Sequence, residues 1–414
     1  MATKKPNPTP ILLLVVFLDF IGFGMIIPLA PLLLTEPSSA GYLLPATVSL
    51  KIGYILLGFM LAMFPLGQFL AGPILGQLSD RIGRKPILAF TLAGTLLSYA
   101  VFALGIYARN VPLLFVARAV DGLTGSNISV TYAALADITP PSERSRRFGL
   151  VGAVIGLGVT LGPFLGGVLA DVGNVASFAR PFWFAAGLSL AAVLLVLFSF
   201  DETLTNKVTG GRIRLDQSLV NIRRAVSLPG LQTVLTTSFL YSFGFTFYQT
   251  FIGVFLVHKF GFTASQIGAF FLYTGSWIMI SQLLIVRRLP RFFSERQILR
   301  GSLVLLGVCP LLYLLPSAWW GLLFIAPFYT AFNSLTSINL PALVSRSAKP
   351  EMQGEVLGIN ASVQALGQSL PPIIAGLLAA QIVFWAPLVA SGVVMILAGI
   401  IFILFYKRPD MAHA

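Results

Sequence analysis

Charge is scarce in this chain of 414 residues: 10% are Asp, Glu, Lys or Arg, against 57% hydrophobic. Soluble domains carry about 25% charged residues, so this chain cannot clothe a water-facing surface, and a soluble enzyme is excluded. Intrinsic disorder is excluded as well, because there is too much apolar side chain to leave in water. Cysteine is nearly absent. One Cys (Cys309) permits no internal disulfide, and with only His258 and His413 beside it no structural zinc site can form. Acids are few, 14 against 27 basic residues, leaving a net charge of +13. What the chain does have is long apolar runs, at a mean hydropathy of +0.89. They recur at the length of a membrane-spanning helix, not as the short alternating strands of a membrane barrel. The expectation is an all-α polytopic membrane protein.

Apolar runs between charged or turn-rich breaks give twelve expected spans. In the first half they cover 9–35, 51–78, 84–107, 110–137, 143–171 and 179–201. In the second they cover 229–258, 264–288, 296–316, 318–345, 352–379 and 383–406. The start, with Lys4 and Lys5, resembles the basic region of a signal peptide, but the apolar run after it is too long and reads as the first helix. With a cytoplasmic N-terminus, the inner segments hold 22 of the 27 Lys and Arg, from Lys4 and Lys5 to Lys407 and Arg408. The outer loops hold Lys51, Arg109, Arg180 and Lys259, and Arg118 falls within a span. That split is what the positive-inside rule produces, so topology accounts for the basic excess and nucleic acid is not needed as a partner. Both termini are expected in the cytoplasm.

The one long hydrophilic stretch, Asp201 to Ser227, divides six spans from six. This gives an N-terminal bundle over 1–201, a cytoplasmic middle loop over 202–228 and a C-terminal bundle over 229–414. The halves echo each other. Phe17-Leu18-Asp19-Phe20-Ile21-Gly22-Phe23 parallels Phe239-Leu240-Tyr241-Ser242-Phe243-Gly244-Phe245, and Leu135, Glu143 and Pro163 parallel Leu343, Glu351 and Pro371. Several matches in register around a central loop mark a protein of two pseudo-symmetric bundles.

Between the second and third spans stands Gly76-Gln77-Leu78-Ser79-Asp80-Arg81-Ile82-Gly83-Arg84-Lys85-Pro86. Its glycines allow a tight turn, and its crowded charges suit a cluster that pairs in one conformation and parts in another. This string resembles the hallmark loop of the major facilitator superfamily, and the resemblance covers the whole chain. Leu18-Asp19-Phe20 followed by Pro28 and Pro31, Arg118-Ala-Val-Asp-Gly122, and Gly158-Val-Thr-Leu-Gly162-Pro163-Phe-Leu-Gly166-Gly167 are similar to motifs of its twelve-span drug:proton antiporter branch, which includes tetracycline exporters. The loop from Arg287 to Arg296 is a degraded second copy that lacks the Asp. The resemblance implies the two-bundle fold, alternating access, and a meeting of Arg81 and Arg84 with Asp137.

Asp19, Arg118 and Asp121 are the charged residues placed deep in the membrane, where each is expensive unless it faces a cavity or a partner. Arg118 and Asp121, three apart on one helix, share a face; Asp19 pairing with Arg118 is the other arrangement. Burial favours a neutral carboxyl and a guanidinium favours a charged one, so this trio can load and release a proton. The plain alternative is an ion pair that holds two helices together. Glycines 158, 162 and 166 line one helix face for close packing, with Pro163 permitting a bend. A site for amphipathic cargo is largely apolar and aromatic with a few polar groups, and the candidate lining residues are Gln68, Tyr241, Phe245, Tyr248, Gln249, Tyr273, Trp277, Asn333, Asn339, Asn360 and Gln364. Taken singly, most of them read first as packing or inter-helix hydrogen-bonding residues, and the polar ones near mid-span are the better candidates.

The expected function is proton-coupled efflux of hydrophobic or amphipathic small molecules, by a functional monomer in a bacterial plasma membrane. The partners are then substrate, protons and membrane lipids, and the energy source is the proton gradient with no cofactor. Lipid or glycolipid translocation on the same scaffold is the alternative. A polytopic membrane enzyme needs a cluster of His, Cys or acids at a membrane face, and neither that nor a phosphate-binding P-loop is present in the sequence. The second half has no acid deep within its spans, which counts against tetracycline itself as the cargo.

Overall fold

The computed structural model describes residues 8–125, 127–140, 143–170, 173–205, 207, 213–227, 231–348 and 352–406. Lys4, Lys5, Arg212, Lys349, Glu351, Lys407, Arg408 and His413 lie outside the described residues. Helices in the first half are α1 (Thr9–Met25), α2 (Ala30–Leu34), α3 (Leu50–Ile82), α4 (Arg84–Tyr107), α5 (Val111–Thr124), α6 (Asn127–Asp137), α7 (Arg144–Leu169) and α8 (Arg180–Ser199). After α9 (Gln217–Ser227) come α10 (Gln232–Phe260), α11 (Ala264–Ser281), α12 (Glu295–Leu312) and α13 (Gly321–Arg346). The last are α14 (Gln353–Ser369), α15 (Pro371–Gln381) and α16 (Ala386–Phe405). Among the described residues there is no strand.

Among the described residues ten stretches are long and apolar enough to cross a bilayer, and two more of the expected twelve spans fall short of that measure. Each of the two departs for a local reason. The fourth span, expected to be continuous over 110–137, is interrupted. Gly125 leaves helical geometry at ψ 27°, and α6 starts afresh at Asn127. The ninth, α12, is 18 residues long and carries Glu295, Arg296 and Arg300 in its first turns. Its start is fixed by a capping box in which Ser294 accepts from the Gln297 backbone N–H and the Gln297 side chain reaches back. Proline shapes other spans: Pro28 and Pro31 flank the α1–α2 junction, and Pro371 opens α15.

Two compact units emerge. One comprises Met1–Pro45, Leu70–Leu215 and Thr263–Leu272; the other comprises Ala46–Phe69, Asp216–Phe262 and Tyr273–Ala414. Helices α3 and α11 therefore each contribute to both. In the second unit, the first part of α3 nestles against α15, where a Cβ on Gly376 would stand 2.6 Å from the Tyr54 carbonyl. The core of the first unit is built from Leu12, Val15 and Val16 of α1 against Leu75, Leu88, Leu92, Val130 and Val196.

The tightest packing in the first unit joins α1 and α7. A Cβ on Gly158 would stand 2.6 Å from the Phe20 Cβ, on Gly162 2.5 Å from the Ile21 carbonyl, and on Gly166 2.6 Å from the Met25 carbonyl. These are closer than carbon packs, so the backbones touch along a stripe spaced by four. Pro163 sits inside α7 on that line, its Cδ 2.8 Å from where a Gly24 Cβ would be. Gly152, by contrast, has nothing within 4 Å of its added Cβ. Gly162→Ala should therefore lower the melting temperature of the purified protein by several degrees, an overpacking cost of about 1–3 kcal/mol. Gly152→Ala should leave it unchanged or raise it slightly, since Ala is the better helix former by about 1 kcal/mol.

Candidate functional site: a buried charge cluster and a loop latch

The interruption of the fourth span sets the geometry of the charged trio, all in the first unit. Asp121 stands in the last turn of α5, where its carbonyl accepts the Gly125 N–H at 2.6 Å. Arg118, one turn earlier, gives Nη1 to Asp121 Oδ2 at 2.8 Å, with side chains only 4% and 2% exposed. Of the two arrangements open from sequence, the Arg118 pairing recorded is with Asp121. Asp19, half-buried in the middle of α1, faces the Asn127 side chain at the start of α6 and has Asp121 as an electrostatic neighbour.

Three further residues complete this cluster, and sequence reading had passed over them. Tyr99, on α4, is buried beside Asp121, Asp19 and Arg118. Its hydroxyl lies 2.8 Å from where a Cβ on Gly22 would be, so the glycine three residues after Asp19 makes room for the phenol. Thr95, one turn before Tyr99, lies beside the Asp121 carboxyl. Asn127 is 1% exposed. The available signal was polar side chains four apart within an apolar span, at 95 and 99, and a Gly-Ser-Asn break at 125–127. Together the cluster places two carboxyls, one guanidinium, a phenol, a hydroxyl and an amide inside an apolar bundle.

At the ends of α3 and α4 the loop motif forms a second charged cluster. Gly83 takes φ 129°, a region open to glycine, and turns the chain directly from one helix into the next. Arg84 is the hub, its side chain 6% exposed. Nη1 reaches Asp80 Oδ1 at 2.6 Å and Ser79 Oγ at 2.6 Å, while Nε reaches Asp137 Oδ2 at 2.9 Å. Sequence resemblance led both Arg81 and Arg84 to be expected on Asp137. Among the described residues Arg84 alone pairs with it, because Gly83 turns the chain and brings Arg84, not Arg81, under the end of α6. Lys85 and Arg81 are half-buried at the rim, and a Cβ on Gly76 would meet nothing within 4 Å.

Glu202, just after α8, is an addition that sequence reading did not make. Its carboxylate accepts the backbone N–H of Arg84 at 2.9 Å and of Lys85 at 3.1 Å, capping the start of α4. Gly83 matters twice here, since a Cβ there would collide with Glu202 Oε2. Thr203 then donates its hydroxyl to Asp137 Oδ2 at 3.3 Å, so the loop motif, the end of α6 and the exit of α8 are joined in one network.

In the second unit the expected lining residues separate into groups. Tyr241 donates to Asn333 Oδ1 at 2.8 Å and stacks on Phe245 with ring centroids 6.1 Å apart. Tyr248 lies 4.1 Å from the ring of Tyr329 and 3.5 Å, hydroxyl to hydroxyl, from Tyr313. Tyr329 and Tyr313 were not among the expected residues. Gln364 donates to Ser238 at 3.3 Å, Asn339 to the Leu335 carbonyl at 2.7 Å, and Tyr273 to the Leu323 carbonyl at 2.8 Å. Asn339 and Tyr273 are thus engaged with backbone. Asn360 is 3% exposed, and among the described residues its Oδ1 accepts no hydrogen bond. Gln68, Gln249 and Trp277 are half-buried, Trp277 edge-on to Tyr273. Among the described residues no group of three His, Cys, Asp or Glu is placed to hold a metal ion.

The family model of the Major Facilitator Superfamily matches residues 12–370, and again 235–414. Tetracycline resistance protein, class H, of Pasteurella multocida is 29% identical over 98% of this chain and 97% of its own length. Multidrug resistance protein 1 of Bacillus subtilis is 29% identical over 91% of this chain and 90% of its own. Among solved structures, the human organic anion transporter MFSD10 (TETRAN) superposes with a TM-score of 0.73 at 24% identity, covering 97% of this chain and 100% of that one. The chain belongs to the major facilitator superfamily and is an integral membrane protein of that transporter fold, which answers the membrane-enzyme alternative.

Glu202→Ala should expose the first turn of α4 without disturbing the bundle core. Hydrogen exchange at the Arg84 and Lys85 amides should speed up by about ten-fold, the worth of a charge-assisted hydrogen bond. Amides near Leu92 should be unaffected.

Proposed function

We propose that the chain is a proton-coupled exporter of hydrophobic or amphipathic small molecules, working by alternating access. The observation that carries this is the cluster of Asp19, Arg118 and Asp121 inside an otherwise apolar bundle. Intramembrane ionisable groups are costly to keep, and two carboxyls against one guanidinium leave one carboxyl free to hold or give up a proton. The names of the relatives, tetracycline resistance and multidrug resistance, support the direction and the class of cargo.

The cycle follows from the chemistry. Asp19, with Asn127 and Tyr99 around it, takes a proton when its cavity faces the acidic side, while Arg118 pairs with Asp121, the second candidate carrier. Closing that cavity changes both hydration and the distance to the guanidinium, and the proton leaves on the other side as cargo moves outward. The proton gradient is the energy source, with no cofactor. Cargo sits against Tyr241, Phe245, Tyr248, Gln249, Trp277, Asn333, Asn360, Gln364 and Gln68. Asp80, Arg84 and Asp137, with Arg81, Lys85, Gly76 and Gly83 shaping the loop, form a latch that holds one access state and parts in the other. Gly158, Gly162, Pro163 and Gly166 keep α7 against α1 as the bundle moves, and Gly167 lets α7 meet the start of α11 at Ala264. The halves 1–201 and 229–414 are the moving bundles, joined by a cytoplasmic loop over 202–228. The protein works as a monomer in a bacterial plasma membrane, with both termini in the cytoplasm.

The test is efflux from proteoliposomes with and without an imposed pH gradient, using a cargo chosen by a drug-susceptibility panel. Asp19→Asn, a mimic of the protonated state, should abolish gradient-driven export while sparing exchange. Export against a gradient that persists in both Asp19→Asn and Asp121→Asn would refute proton coupling by these groups and leave lipid translocation or facilitated diffusion as the reading. Asp80→Asn should insert and bind cargo normally but turn over more slowly, as removal of one latch partner requires. A normal rate would show that the latch has no part in the cycle.

A further inference from the structure

The second copy of the loop motif lacks the acid that neutralises the first, and its surroundings show what takes the acid's place. After α11 the chain opens into a wider helical turn over Gln282–Val286 and narrows over Leu289–Arg291 before Ser294 caps α12. Arg287, Arg288 and Arg291 all stand exposed on this segment. In the first loop Arg84 is buried between Asp80 and Asp137. Among the described residues none of the three second-loop guanidinium groups has a carboxylate partner. The nearest acid in sequence, Glu295, is taken by Arg346 at 2.9 Å, and Arg296 is turned to the Tyr406 carbonyl at 2.9 Å.

Apolar side chains surround these cations in a graded order. Leu283 and Leu284, about one turn before Arg287, are 66% and 47% exposed. Phe292 and Phe293, directly after Arg291, are 78% and 50% exposed. In a membrane-embedded chain, exposed leucines on a spanning helix meet acyl chains, and exposed phenylalanines beside cations bury at the boundary between headgroups and acyl chains. The arginines between them lie where phosphates are, and a guanidinium fork matches a phosphate's paired oxygens.

We propose that the segment Leu283–Phe293 is a binding site for anionic phospholipid, in which Arg287, Arg288 and Arg291 hold the headgroup phosphate while Leu283, Leu284, Phe292 and Phe293 seat its chains. The lipid supplies the negative charge that Asp80 and Asp137 supply in the first loop. The proposal shares no residue with the proton-coupling cluster and does not depend on the transport cycle.

Native mass spectrometry of full-length protein, reconstituted with phosphatidylethanolamine and phosphatidylglycerol and then released from the bilayer, tests this. Wild type should retain phosphatidylglycerol in preference to phosphatidylethanolamine. Arg287→Gln/Arg288→Gln/Arg291→Gln should lose that preference by about five-fold per arginine removed. Arg146→Gln/Arg214→Gln/Arg223→Gln, which removes the same charge elsewhere, should keep it. Equal retention by wild type and the loop variant would overturn the site. So would equal loss in both triple variants, since attraction would then follow net charge and not this loop.

Discussion

A charge inside a bilayer must be answered by another charge, by a hydrogen bond or by water, and this chain has few charges to spare for the purpose. The Arg118–Asp121 pair meets that demand within one turn of α5, at 2.8 Å and almost wholly buried. The first unit is arranged around it. The break at Gly125 ends the helix just beyond Asp121 and lets Asn127 face Asp19 from a new helix start. Gly22 makes room for Tyr99, and the α1–α7 glycine stripe holds Asp19's helix close enough to take part. A carboxyl in such a place stays because the surrounding groups answer it, and it changes protonation when they move. That is the physical content of the proposed coupling.

Where helices emerge from the membrane, charge is handled differently. The first loop closes its account internally, with Arg84 between two carboxylates and Glu202 on the freed N–H groups of α4. Helix starts carry unpaired N–H groups and a partial positive charge, so a carboxylate there is doubly favoured. The second loop has the cations without the carboxylates. The pseudo-symmetry of the sequence is thus not kept in these loops: the first turns directly at Gly83, the second runs through turns over Gln282–Val286 and Leu289–Arg291, and their electrostatics differ.

Sequence alone carried the helical class, the span count and the places of charge, because hydropathy and charge dominate the physics of a membrane chain. It also offered the i, i+3 pairing of Arg118 with Asp121, which needs only helical periodicity, but left Asp19 open as the partner. It did not carry the break at Gly125, where a single glycine in a polar run was read as continuous helix. Nor did it supply Glu202, which lies 118 residues from the backbone N–H of Arg84 that it caps. Tyr99 was lost among apolar neighbours, since a phenol in an apolar span reads as packing until its helix is placed beside others. The lining residues of the second unit fared worst. Asn339 and Tyr273 were singled out for polarity, yet each spends its hydrogen bond on backbone.

The central claim is that the carboxyls of Asp19 and Asp121 exchange protons with the two sides of the membrane. Infrared difference spectroscopy of lipid-reconstituted protein, stepped between acid and neutral pH, measures this directly through the carbonyl stretch of protonated carboxyl groups. The account predicts a pH-dependent band from the wild type that shrinks in Asp19→Asn and keeps only the part due to the chain's other twelve acids when Asp121→Asn is added. A band of undiminished size in the double variant would contradict it.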